Sequence, residues 1–104
     1  MTDRWIKVAT TEAIPEDDMI AVEIEGKQIA LYHVGGAFHA TANVCTHAYA
    51  LLTDGFLDEC TIECPLHAGR FDITTGRALG PPVNRDLKLY KLKIEGSDIL
   101  IGLD

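Results

Sequence analysis

Two short segments of this 104-residue chain each hold a cysteine and a histidine: Cys45-Thr46-His47 and Cys64-Pro65-Leu66-His67. A thiolate is a soft anionic donor and an imidazole a neutral one, and both bind transition metals. Sixteen residues, Ala48 to Glu63, separate the segments. If that stretch folds as a hairpin, two loops can meet from opposite sides and share one metal centre. The order of donors argues against an ordinary zinc finger, which pairs Cys with Cys and His with His along the chain. One donor of each kind per loop suits a centre with two chemically distinct ends. A [2Fe–2S] cluster with both thiolates on one iron and both imidazoles on the other is such a centre. Neutral imidazoles leave it less negative than an all-cysteine cluster, so electrons are easier to accept and the potential is higher. A structural zinc module is the alternative that the residues leave open.

The elements around these loops read almost entirely as strands. Trp5 to Ala9, Met19 to Glu25, Gln28 to Val34 and Ala37 to Thr41 are rich in apolar and β-branched residues, partly alternating. Gly26-Lys27 and Gly35-Gly36 are expected as hairpin turns. Thr11 to Ile14 reads as one helical turn stopped by Pro15. Near the end, Leu87 to Ile94 alternates with a break in parity near Tyr90, Gly96-Ser97 turns, and Asp98 to Ile101 closes the sheet. From Asn43 to Pro82 strands shorten while glycine, proline, cysteine and histidine concentrate; Tyr49 to Leu52 reads as a turn and Thr61 to Glu63 as a strand into Cys64. The expected fold is all-β: one domain over residues 1–104, with an antiparallel framework from about 1–42 and 83–104 and an inserted loop-rich subdomain over about 43–82.

Composition narrows the function. Apolar residues make up 47% and charged residues 24%, as in a soluble globular domain. No run of eighteen apolar residues occurs, so no transmembrane helix is expected and no membrane partner. The start, Met1-Thr2-Asp3-Arg4-Trp5, lacks the pattern of a signal peptide, which points to the cytoplasm. The net charge of −7, without a visible basic patch, argues against nucleic acid and favours a basic surface on a protein partner. Three cysteines make an odd count for a disulfide framework, and Cys60 is expected as a partly buried free thiol.

The motif C-T-H followed by C-P-L-H at this spacing, then Gly69-Arg70-Phe71-Asp72, resembles the Rieske iron–sulfur family. The resemblance covers the whole chain and is strongest to the small ferredoxins of bacterial aromatic-ring-hydroxylating dioxygenase systems. It implies a Rieske-type antiparallel β sandwich or barrel and one [2Fe–2S] cluster. Cys45 and Cys64 would hold the inner iron, His47 and His67 the outer. It also implies a proline-bearing lid, matched by Gly80-Pro81-Pro82. Where high-potential relatives carry an extra disulfide and hydroxyl donors, this chain has Ala50, Leu66, Gly69 and Phe71. Fewer donors to sulfur disfavour the reduced cluster, so the potential is expected low in a Rieske range of roughly −150 to +300 mV.

The implied function is a monomeric one-electron carrier without catalysis of its own. It would pass electrons from an NAD(P)H-dependent flavoprotein reductase to a terminal aromatic-ring-hydroxylating oxygenase. A Rieske-like accessory subunit, such as that of a nitrite reductase, is the second reading. An oxygen-activating mononuclear iron needs a further two-His-one-carboxylate set, and His33 and His39 offer none. Those two histidines read as structural or surface residues, and Trp5, Tyr32, Phe38 and Tyr90 as core or sheet-face aromatics. Asp54-Gly55 reads as a turn, Arg70 as a surface ion pair, and Asp72 as a brace for the second loop.

Overall fold

The computed structural model describes residues 4–46, 49–66, 68–81 and 83–103. Its strands are β1 (Arg4–Thr10), β2 (Asp18–Ile24), β3 (Lys27–Val34), β4 (Ala37–Ala42), β5 (Phe56–Asp58), β6 (Thr61–Glu63), β7 (Arg70–Asp72), β8 (Lys91–Glu95) and β9 (Asp98–Leu103). They form three antiparallel sheets, ordered β1-β9-β8, β2-β3-β4 and β5-β6-β7. Strands from near both chain ends therefore build one sheet. Single 3-10 turns occupy Thr11–Ala13 and Leu52–Asp54.

Strand β3 is central in more than its sheet. Alternate side chains point to opposite faces of a strand, and here both faces are buried. Ile29 and Leu31 join Ile24, Ile99, Ile101 and Leu103 in a core between the first two sheets. Ala30, Tyr32 and Val34 join a second core with Leu52, Ile62, Phe71, Ile73, Val83, Cys45 and Cys64. The motif cysteines thus share an apolar wall with the framework.

Three strand details differ from the sequence reading. The first hairpin turns on Glu25-Gly26 rather than Gly26-Lys27, and Lys27 opens β3. Both turn residues have positive φ, 53° and 82°, as a primed turn requires to match the strand twist. The alternating run from Leu87 does not all become strand, because β8 starts at Lys91. Leu87 sits in the core with the cysteines while Leu92 packs against the other core, so the chain changes partner near Tyr90. Before that point it runs beside β4: Ala42 N donates to Lys88 O at 2.8 Å and Tyr90 N to Ala40 O at 3.0 Å. Those bonds link the first two sheets along one edge. The third difference is that the short strands β5 and β7 flank β6, where only β6 was read.

Candidate functional site

The first motif loop grows out of β4. Asn43, two residues before Cys45, is fully buried, which is costly for an amide unless every polar atom is paired. It is paired on all sides. Its N–H donates to Gln28 O at 2.9 Å and its carbonyl accepts from Leu52 N at 2.7 Å. Its side-chain oxygen accepts from Thr53 N at 3.0 Å, and its amide nitrogen donates to Thr53 Oγ1 at 3.0 Å. Val44 bridges Leu51, and Cys45 N donates to Ala50 O at 2.9 Å. The two ends of this segment, Cys45 and Ala50, are therefore held together over a locked base. Thr46 Oγ1 adds a bond to Arg85 O at 2.8 Å. Sequence reasoning missed Asn43 and Thr53; a lone amide ending an apolar strand just before the first cysteine was the available signal.

The second motif loop joins β6 to β7. Glu63 pairs with Arg70, and Cys64 N donates to Gly69 O at 2.6 Å, closing the loop. Ala68 takes a left-handed φ of 57° to make the return. Two glycines let the chain pass where no side chain fits. A Cβ on Gly69 would lie 2.5 Å from Val83 Cγ1. A Cβ on Gly55 would run into the backbone carbonyl of Glu63, next to Cys64. Val83 follows the segment expected as a lid, Gly80-Pro81-Pro82. It is buried beside the cysteines just after Gly80-Pro81, while Pro82 lies outside the described residues.

The two loops bring Cys45 and Cys64 together at the floor of the site. Both are free thiols, 5% and 1% exposed, lined by Tyr32, Ile62 and Phe71. Burial pushes the Cys64 thiol above its ordinary pKa, and the neighbouring Cys45 adds to the rise. The Leu66 N–H, aimed at the Cys64 sulfur, works the other way. A negative Cys64 sulfur beside Cys45 in this wall needs a cation to share. Two adjoining buried thiols are a donor pair suited to a soft metal. His47 and His67 lie outside the described residues. Of the described residues beside these stretches, Tyr49, Leu66 and Ala68 are exposed, Tyr49 to 81%, and Thr46 is half-buried, in contrast to the buried sulfurs.

The remaining sequence candidates sit elsewhere. Cys60 is exposed, not partly buried as expected. It occupies the β5–β6 turn beside Glu59, whose φ is 52°, so its side chain lies outside both cores. His33 is structural: Nδ1 is 2.8 Å from Ile14 O, Nε2 3.3 Å from Glu16, and the ring stacks on Phe38 at 4.1 Å. Hydrogen bonds from Gly36 N–H foremost, and also Gly35 N–H, hold Glu16 below the usual carboxylate range. His39 is half-buried on β4. Asp72 braces the end of β7: one oxygen accepts from Thr74 N at 2.8 Å and Thr74 Oγ1 at 2.6 Å. Those bonds lower its pKa. Arg70 is exposed and makes no ion pair among the described residues, against the expectation of one. Trp5 is half-exposed under Lys93, 4.4 Å from its ring, whereas Tyr32 is fully buried and donates to or accepts from Thr41 Oγ1 at 2.9 Å.

Residues 4–91 match the Rieske [2Fe-2S] domain. The chain is 52% identical over 103 residues to the ferredoxin component of a naphthalene 1,2-dioxygenase system from Pseudomonas aeruginosa, with 99% of each chain covered. The solved Sphingomonas yanoikuyae B1 ferredoxin superposes with a TM-score of 0.92 at 35% identity, covering 97% of this chain and 100% of that one. The ferredoxin in a complex of reduced oxygenase and oxidised ferredoxin of carbazole 1,9a-dioxygenase gives 0.90 at 31% identity, covering 94% and 92%.

Proposed function

Because the chain belongs to the Rieske [2Fe-2S] domain family, we propose that it is the electron-carrying ferredoxin of an aromatic-ring-hydroxylating dioxygenase system, and not itself an enzyme. Full-length identity of 52% to such a component favours this over an accessory subunit of a nitrite reductase or a structural zinc module. The observation that carries it is the pair of buried free thiols, Cys45 and Cys64, brought together as neighbours in one core by two separately locked loops. In this reading Cys45 and Cys64 hold the inner iron of one Rieske-type cluster and His47 and His67 the outer. When bound, that cluster supplies a one-electron couple.

The protein's own residues do the rest. The wall of Tyr32, Ile62, Phe71 and Val83 keeps water from the sulfurs. The Leu66 N–H offsets charge on Cys64. Locked loops hold the donors still, which keeps small the rearrangement that accompanies a change of charge. Residues 43–82 carry the site and the rest of the chain, 1–42 and 83–104, supports it. The carrier would take electrons from an NAD(P)H-dependent flavoprotein reductase and give them to a terminal oxygenase, as a monomer in the cytoplasm.

The test is metal and sulfide analysis of the purified protein with electron paramagnetic resonance. About two irons and two acid-labile sulfides per chain, and a signal on reduction only, are expected. His47→Ala and His67→Ala should lose the cluster or alter its spectrum, while His33→Ala and His39→Ala keep it. Zinc without sulfide, or a native spectrum in His67→Ala, would defeat the reading.

A further inference from the structure

The chain carries sixteen Asp and Glu against nine Lys and Arg, yet folding gathers three lysines around one cleft. Lys27, Lys88 and Lys91 line a hollow of about 150 Å³ floored by Leu89, Tyr90, Gly102 and Leu103. Among the described residues no carboxylate lines it. All three lysines are exposed, and none forms an ion pair among the described residues. Glu25, which feels Lys27, is held by Arg4 at 2.5 Å. Lys7 and Lys93, on the same sheet, pair instead with Asp98 and Glu95.

The cleft adjoins the first motif loop. The segment bearing Lys88 descends beside it: Arg85 O takes the Thr46 hydroxyl, and Lys88 O takes Ala42 N, three residues before Cys45. From the other side Asn43 N donates to Gln28 O, next to Lys27. An unpaired positive hollow on a protein of net charge −7 is a local reversal of its field.

We infer that the Lys27–Lys88–Lys91 cleft receives an acidic surface of a redox partner protein and so orients the first motif loop toward it. The inference rests on the carrier reading above. The net charge of −7 disfavours such a partner at long range, so productive encounters are expected to depend on this local cluster of cations.

The experiment compares two double variants of the cluster-loaded protein, K88Q/K91Q and K7Q/K93Q. Each loses two cations and goes from −7 to −9. Iron, sulfide and the resonance signal are measured first; their absence in the wild type sinks the carrier reading itself. Stopped-flow rates are then taken at low and high salt, for reduction by the system's reductase and for electron delivery to its oxygenase. K88Q/K91Q should slow one of these steps about ten-fold at low salt, and the deficit should shrink at high salt. K7Q/K93Q should leave that step within about two-fold. Equal effects of the two doubles would mean that net charge governs, and wild-type rates in K88Q/K91Q would mean that the cleft is idle; either overturns the inference.

Discussion

The two motif loops do the same job by different physics. The first is fastened by polar groups: Asn43 and Thr53 tie its base, and Thr46 ties its side to Arg85. The second is fastened by backbone pairing and exclusion: β6 and β7 close it, and Gly55 and Gly69 admit neighbours that no side chain would tolerate. Hydrogen bonds are directional, so the first loop is fixed by few residues that can be removed one at a time. Close packing is collective, so the second loop is fixed by shapes that can only be overfilled.

Substitutions can break each side of that contrast. The largest effect is expected from Gly55→Ala, where a methyl meets the immovable Glu63 carbonyl. A loss of about 3 kcal/mol in urea unfolding is expected, with iron lost in parallel. Asn43→Ala should follow with about 2 kcal/mol, because buried partners are left unpaired. Hydrogen exchange should accelerate at Leu52 and Thr53 before it does in β7. Gly69→Ala should cost about 1–2 kcal/mol. Its obstacle is a side chain, so adding Val83→Ala should cost less than the two single changes summed, a non-additivity of about 1 kcal/mol. No such partner should rescue Gly55→Ala. Thr46→Val, which removes one solvent-accessible bond, should cost about 0.5 kcal/mol in thermal unfolding.

The smallest expected effect is a pH dependence at the end of β7. Asp72 has a lowered folded pKa, chiefly through Thr74. Its contribution is complete above the ordinary carboxylate value, near 4, and disappears as pH falls through the folded value. Asp72→Asn should therefore lose less stability than the wild type between about pH 5 and pH 2. Equal slopes would show that the Thr74 bonds add nothing to stability.

Much of this was legible in the residues. Period-two runs bounded by glycine gave β2, β3, β4 and β9, and the two Cys/His pairs marked the loops. What escaped was set by three dimensions. Strands β5 and β7, three residues each, are too short to show a period. The alternation from Leu87 was real but served two cores in turn. Cys60 resembled a small core residue, yet its place in a turn turned it to solvent. No basic patch was visible because Lys27 and Lys88 are sixty-one positions apart until β3 and the β8 approach meet. His47 and His67, the most legible residues of all, fall outside the described structure.

Strand β3 has a consequence for how the molecule comes apart. It supplies one lining to each core, so neither half can melt and leave the other intact. Thermal denaturation and iron release should then coincide in a single transition. The amides of Ala30 to Tyr32 should be the last to exchange with heavy water, at rates set by global opening.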